Sequence, residues 1–535
     1  MRKLALLIVL TFLISCTNKT KLQVSTGVET ITPKGLKLHL DFLASDDMRG
    51  RDTPSNELNI AASYLSLYSK SYGLKPLMPN GSFYQNLPLH SAKVDTDKTT
   101  MTVNGKSKFE FQKDFGFKPG MIEDGKISGD IVFLGYGLQA PDASWDDVKG
   151  FDIKGKVVLL MEVTLPDNHN LIKNVGWRSR RYRAKELISK GASAVLTIVS
   201  LKDENGLTEK GISFDNSLQS KYIENVTDNN TSKTNAKSSY ILEVRHKMAS
   251  ELLNISQNEL GQLFKQIKAG KRVKGRVLKN KFVNLKVKTI QKKTNARNVL
   301  AYIEGSDPNL RDEFVIFSAH YDHVGVIKGE VYNGSNDNGS GTVALLGVAK
   351  AMAKQKPKRS VIFAWFSGEE KGIWGSKEFI KNPPIPIEKI SANINLDVCQ
   401  GYDISKLTTI GGRKLSSEIA KSMMSINEKY FSINFDYKYD NTSSSIFFSS
   451  DHSTFMKRGI PSVWLSSEAE PNRVHVPEDS PDKATGTKLT LITKFSYYLA
   501  LDFANKEQML PLDLNPKITK RGNHNLRFNW TKEKE

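Results

Sequence analysis

Between residues 36 and 77 the apolar residues fall at helical spacing, first as Leu38, Leu40, Phe42 and Leu43 and then as Ile60, Ala61, Tyr64, Leu65 and Tyr68. This predicts two helices joined by a loop over residues 46–54. A strand-like texture follows, in residues 101–103 and 109–111, in Asp130-Ile131-Val132-Phe133-Leu134 and in Lys156-Val157-Val158-Leu159-Leu160-Met161. A helical segment at 182–189 passes through Lys190-Gly191-Ala192 into a strand at 194–199. Residues 202–238 are polar and read as loops. The chain resumes with a strand at 240–244, a helix at 256–268 and a strand at 283–289. Short strands and helices bounded by glycine turns predict a compact inserted domain.

From Asn295 the texture changes to continuous apolar runs, Phe314-Val315-Ile316-Phe317, Val361-Ile362-Phe363-Ala364-Trp365-Phe366 and Val463-Trp464-Leu465, separated by helical segments. Strands that are apolar without alternation are covered on both faces, as in a mostly parallel sheet. The expected fold class is α/β, a mostly parallel mixed sheet sandwiched between helices and interrupted by a β-rich insert. The boundaries read as a leader over 1–15, a tether over 16–34, a helical N-terminal part over 35–115, the insert over 116–290, the α/β domain over 291–505 and a charged, asparagine-rich, loosely packed tail over 506–535.

A chain of 535 residues suffices for two or three domains, and 39% hydrophobic with 25% charged residues excludes a disordered or membrane-spanning class. The leader stands apart, because Arg2 and Lys3 precede an apolar run that is too short to span a bilayer and ends in Leu13-Ile14-Ser15-Cys16. It resembles a bacterial lipoprotein signal, which makes Cys16 the acylated N-terminus and places the protein at the cell envelope, anchored by more than one acyl chain. Only Cys399 then remains, so no intramolecular disulfide forms. In its apolar context Cys399 reads as a buried, inert thiol.

The formal charge is +20, and loss of Arg2 and Lys3 leaves 75 basic against 57 acidic residues, or +18. The lysines are dispersed, without the basic and aromatic signature of a nucleic-acid module. The charge suits an anionic envelope surface or simply solubility, and no nucleic-acid partner is expected.

Ligands of an open α/β sheet gather at the carboxyl ends of its strands. Four polar sites follow apolar runs here: His320-Tyr321-Asp322-His323, Ser367-Gly368-Glu369-Glu370, Asp397 after 392–396, and His475 beyond 463–465. Between the first two lies Asn333-Gly334-Ser335-Asn336-Asp337-Asn338-Gly339-Ser340-Gly341, a turn-rich loop that can hold a carboxylate rigidly at the start of the helix predicted over 342–354. Two histidines, three acids and a spare glutamate match a two-metal hydrolytic site, since zinc prefers imidazole and carboxylate donors.

The ordered set Ala319-His320-Tyr321-Asp322-His323, Asn336-Asp337-Asn338-Gly339-Ser340-Gly341, Ser367-Gly368-Glu369-Glu370, Asn395-Leu396-Asp397 and His475-Val476-Pro477 resembles the di-zinc metallopeptidases of clan MH, which include bacterial leucyl-type aminopeptidases and glutamate carboxypeptidase. The intervals of 17, 33, 27 and 78 residues between ligands are similar to that family's. Asp46-Asp47-Met48-Arg49-Gly50-Arg51 with Gly73-Leu74-Lys75-Pro76 resembles its N-terminal helices. The segment containing Gly135-Tyr136-Gly137, Trp145-Asp146-Asp147 and 153–158 resembles the protease-associated (PA) insert of some members.

The resemblance implies two Zn2+ per chain, with Asp337 bridging, His320 and Asp397 completing one position, and Glu370 and His475 the other. It implies that Asp322 orients His320 and that Glu369 is the general base. Where the family carries a tyrosine before the last histidine this chain has Val474, so the oxyanion donor must be another tyrosine or the zinc itself. His323 and His452 read as supporting or structural residues and are not assigned to metal.

The implied function is an exported aminopeptidase acting on peptide substrates. Three alternatives stand beside it: a carboxypeptidase or dipeptidase that grips a substrate carboxylate with arginines such as Arg473, single-zinc glutaminyl cyclisation, and a non-catalytic receptor. The complete ligand set argues against the last two. Ser450-Asp451-His452-Ser453 lacks the nucleophile elbow of a serine hydrolase.

Overall fold

The computed structural model describes residues 27–117, 123–140, 144–163, 180–200, 219–222, 240–327, 329–442, 444, 446–467, 474–484, 486–515 and 517–522. The leader, Cys16 and Arg473 lie outside the described residues, as do nearly all of the loops predicted over 202–238. Among the described residues no helix is long and apolar enough to cross a membrane. The chain divides into two compact units, one made of the chain up to Asn86 and from Ala296 onward, the other of Leu87–Asn295.

The first unit opens with the two predicted helices, α1 (Pro33–Leu43) and α2 (Asn56–Ser71). Thr32 caps α1 and Ser55 caps α2, each accepting from a backbone N–H in the first turn. The buried face of α1 is Leu36, Leu40 and Leu43, while Leu38 and Phe42 are exposed. Spacings of four and three keep the first three residues in one stripe, and two further residues turn the chain away from it.

The sheet of this unit contains β1 (Thr289–Ile303), β2 (Phe314–His320), β3 (Ser360–Phe366), β4 (Ile390–Leu396), β5 (Lys406–Ile410), β6 (Asn434–Asp436) and β7 (Ser462–Ser466), in the order β1-β3-β2-β4-β7-β5-β6. Strands β3, β2, β4 and β7 are mutually parallel. Antiparallel neighbours close this core, β1 on β3 and β5 on β7. Every residue of β3, β4 and β7 is buried, the expectation for continuous apolar runs. The connecting helices include α3 (Gly341–Met352), α4 (Trp374–Lys381), α5 (Ser417–Tyr430), α6 (His452–Met456) and α7 (Gly486–Asn505). Strand β2 lies between β3 and β4, so chain progression reverses on either side of it and a crevice opens at the carboxyl ends of the three.

The second unit carries an eight-stranded sheet in the order Ser107–Phe109, Thr100–Val103, Arg276–Val287, Gly125–Phe133, Val157–Met161, Ala194–Ile198, Ile241–Val244 and Phe115–Phe117. This moves the boundary of the insert from 116 to Leu87. Residues 100–109 carry no helical pattern: Thr100–Val103 pairs with Arg276–Val287, a strand far along the chain that a local reading cannot pair with it, and Ser107–Phe109 pairs with Thr100–Val103.

The tail also differs from expectation, because Leu510 and Ile518 are fully buried and Arg521 donates to the carbonyls of Leu510 and Ser391. The first half of the segment read as loosely packed is therefore part of the first unit's core.

Candidate metal centre

Each strand end delivers its acid or imidazole through a specific backbone device. Strand β2 ends on His320, whose carbonyl accepts from Thr342 Oγ1 (2.8 Å). Strand β3 turns at Gly368, where φ of +74° sets Glu369 and Glu370 at the mouth of the crevice. At Gly341 a Cβ would fall 2.2 Å from the Leu396 carbonyl oxygen, so only glycine lets the start of α3 approach the end of β4.

The loop carrying Asp337 is tied down from both sides. Asp479 accepts from the N–H groups of Asn336 (2.7 Å) and Asp337 (3.0 Å). Asn338 donates to Leu396 O (2.9 Å) and accepts from Gly341 N and Val398 N.

These devices bring together all five residues expected to hold metal. His320 Nε2 lies 3.2 Å from Asp397 Oδ1 and 3.4 Å from Asp337 Oδ1. His475 Nε2 lies 3.0 Å from Asp337 Oδ2, 3.0 Å from Glu370 Oε2 and 3.1 Å from Glu370 Oε1. Asp337 is thus shared by two donor groups, His320–Asp337–Asp397 and His323–Asp337–Glu370–His475, in each of which the ligand atoms lie within 4.8 Å of one another.

The donor set fits divalent zinc. One N–H of His475 cannot serve three carboxylate oxygens at equal range, whereas donors around a common cation adopt that spacing. A tetrahedral ion with bonds of about 2.0–2.1 Å sets neighbouring donors about 3.3 Å apart, close to the separations found here. The electrostatics agree. Burial alone would raise the Asp337 carboxyl, yet hydrogen bonds to His320 and His475 and the nearby imidazoles hold it well below the carboxylate range. Hydrogen bonds to Asp337 and Glu370 push His475 up to about 11. Asp337 therefore stays anionic between the two imidazoles.

Glu369 belongs to neither donor group. Its N–H donates to Asp322 Oδ1 (3.2 Å), and burial first, with the charges of Asp397, Asp451 and Glu370, raises its carboxyl well above the usual range against the opposing His320. Asp322 acts on His320 somewhat differently from expectation. His320 Nδ1 donates to the Asp322 carbonyl (3.2 Å), and the carboxylate is farther, at 3.6 Å. The effect on tautomer is the same, since the Nδ1 proton leaves the Nε2 lone pair toward Asp337 and Asp397. The freed carboxylate spans Glu369 N and the Thr53 hydroxyl (3.0 Å), which itself accepts from Gly368 N.

Two supports have no counterpart in the sequence reading, and a third residue goes beyond the supporting role read for it. Buried Arg51 donates to the carbonyls of Tyr321 (2.9 Å), Asn333 (2.8 Å), Gly334 (2.9 Å) and Leu43, pinning the end of β2 to the Asp337 loop. Burial lowers its pKa to about 10, offset in part by Asp479, Asp322, Asp337 and Glu370, so it stays a cation at neutral pH. Ser450 donates to Asp397 Oδ2 (2.6 Å), which also accounts for the serine of the Ser-Asp-His segment. The third, His323, enters one donor group outright; its only signal was adjacency to Asp322.

His452 remains structural. Its Nε2 donates to Phe447 O (2.8 Å) and its ring packs against Trp464 at 5.3 Å between centroids. Burial first, opposed by the bond to Phe447, lowers its pKa from 6.5 to about 3. The unfolded chain therefore takes up this proton first as pH falls. Stability that His452 contributes above pH 6.5 is lost between pH 6.5 and 3, at about 1.4 kcal/mol per pH unit. Urea midpoints of wild type and His452→Gln are expected to converge as pH falls through this window, and parallel pH slopes would rule the assignment out.

Comparison with known proteins follows the same lines. A family model described as Peptidase family M28 matches residues 298–500. An aminopeptidase of Pseudomonas aeruginosa (strain UCBPP-PA14) is 38% identical over 117 residues, 22% of this chain. Leucine aminopeptidase 2 of Trichophyton equinum is 29% identical over 197 residues, 35% of this chain. The chain spans 20% and 37% of the lengths of these two curated relatives. Among solved structures, the aminopeptidase from Aneurinibacillus sp. strain AM-1 aligns over 94% of this chain and all of its own, at 18% identity and a TM-score of 0.55. The zinc aminopeptidase BSAP from Bacillus subtilis aligns over 91% of this chain and 99% of its own, at 18% identity and 0.53. At these identities the likeness is one of fold.

Proposed function

Taking residues 298–500 as a Peptidase family M28 region, we propose that the chain is a zinc metallopeptidase that removes residues from the N-termini of peptides. The observation that carries this reading is the sharing of Asp337 by two imidazole–carboxylate groups, with Glu369 held beside them and outside both. The similarity to aminopeptidases supports attack from the N-terminus.

His320, Asp337 and Asp397 would hold one zinc, and Asp337, Glu370 and His475 the other. When bound, the pair supplies Lewis acidity that polarises the scissile carbonyl and lowers the pKa of an attacking water. The remaining steps belong to the protein. Glu369 takes the proton from that water and delivers it to the departing amine, a transfer that its raised carboxyl pKa favours. Asp322 fixes the backbone of the base through Glu369 N and the tautomer of His320 through its own carbonyl, so base and ligand move as one piece. Arg51 and Asp479 keep the Asp337 loop in register with β2.

Two finer features belong to the same reading. We read the unit Leu87–Asn295 as a PA-like insert. The Leu13-Ile14-Ser15-Cys16 signal attaches the mature enzyme by lipid on Cys16 to the bacterial envelope, an assignment that mass spectrometry of the mature N-terminus tests directly.

The test of activity is zinc content together with a panel of free, N-blocked and C-blocked peptides. About two zincs per chain, with N-terminal residues released from free and C-blocked peptides and N-blocked ones resistant, is the expected result. Release of C-terminal residues from N-blocked peptides would overturn the aminopeptidase assignment in favour of carboxypeptidase action.

A further inference from the structure

His323 is the one histidine of the crevice to which the ligand assignment above gives no role, and its surroundings are built around its ring. The ring is fully buried, at 0% exposure. Gly334, at φ +59°, faces it, and a Cβ there would fall 2.3 Å from His323 Cγ and 2.5 Å from Cδ2. The backbone N–H of His323 points to Arg51 O at 3.4 Å. The segment before Asp337 is thus cut away to admit this imidazole.

Its Nδ1 lies 3.0 Å from Glu370 Oε1 and 4.0 Å from Asp337 Oδ2, and its ring meets that of His475 edge-on at 5.4 Å between centroids. Glu370 Oε1 is approached at once by His323 Nδ1 and, at 3.1 Å, by His475 Nε2. Buried Nε2 has no hydrogen-bond partner among the described residues. The only ring atom of His323 with anything to bind is therefore Nδ1, which faces Glu370 and Asp337 of one donor group.

We propose that His323, through Nδ1, is a direct ligand of the metal position formed by Asp337, Glu370 and His475, so that the two positions are unequal. One has four protein donors and the other, His320–Asp337–Asp397, has three. A four-donor position is closed in the manner of structural zinc sites, whereas a three-donor position keeps room for water or substrate. The zinc at the four-donor position binds first and exchanges slowly. The zinc at the three-donor position is the exchangeable one and the one that meets the substrate.

This inference rests on the two-zinc reading above, and the experiment separates the two. X-ray absorption at the zinc edge of the full chain counts imidazoles per bound metal, and competitive chelator titration gives the two affinities. The expected result is three imidazoles shared by two zincs, falling to two in His323→Ala, with the tighter zinc weakened by more than about 100-fold, beyond the 10- to 100-fold loss typical of a residue that merely supports a ligand. Two imidazoles per two zincs in the wild type would overturn the proposal while leaving the two-zinc reading intact. So would a loss of tight-zinc affinity in His323→Ala of about 100-fold or less. Wild-type chain that binds no zinc would overturn both. The wild-type measurement decides the matter even if the variant fails to fold.

Discussion

Glu369→Gln is expected to lower kcat for peptide hydrolysis about a thousandfold, with zinc content, zinc affinity and thermal stability unchanged. The reasoning starts from position. Glu369 lies outside both donor groups, and its backbone N–H, which the substitution leaves in place, keeps its bond to Asp322 Oδ1. Glutamine matches the glutamate in shape but cannot accept the proton of the attacking water, so only the proton transfer is lost. A general base contributes about 10²- to 10⁴-fold, and because the transfer occurs in the transition state the loss should fall on kcat with KM little changed. Steady-state kinetics on metal-loaded protein, with zinc measured on the same sample, checks this. A variant within about tenfold of wild type would remove Glu369 from the mechanism.

Asp337→Ala should have the larger effect, loss of both zincs and of activity by about 10⁴-fold or more, since the several kcal/mol of transition-state stabilisation that metals supply disappears. Asp337 is the only residue common to both donor groups, with Oδ1 toward His320 and Oδ2 toward His475. The fold should survive. The loop is held by the N–H of residue 337 on Asp479, by Asn338 on Leu396 and by Arg51 on Gly334, none of which uses the deleted carboxylate. Zinc analysis after dialysis, alongside far-UV circular dichroism, separates metal loss from unfolding. Retention of both zincs would show that Asp337 does not bridge.

These expectations depend on residues of very different legibility. The residues proposed as ligands and base could be read in the sequence because His320, Glu369, Glu370 and Asp397 closely follow continuous apolar runs, Asp337 sits in a glycine-rich turn and His475 lies in the loop beyond β7. Arg51 could not be read so. Its value lies in four backbone carbonyls, three of them about 270 to 280 residues away, and an isolated arginine in a turn carries no sign that it will be buried. Thr53 and Ser450 are likewise ordinary hydroxyls until folding sets them against Asp322 and Asp397.

The sequence by itself determined the layered α/β architecture and the strands buried on both faces, and it named the residues proposed to hold metal. All of these rest on periodicity and motif order within short stretches of chain, where local sterics and burial dominate. Tertiary structure alone decided which imidazole faces which carboxylate, the entry of His323 into a donor group, the use of the Asp322 carbonyl rather than its carboxylate on His320, and the assignment of residues 100–109 to the second unit. Those outcomes depend on contacts between residues far apart in the chain and on ring orientations set by close packing, where a shift of an ångström separates a ligand from a neighbour.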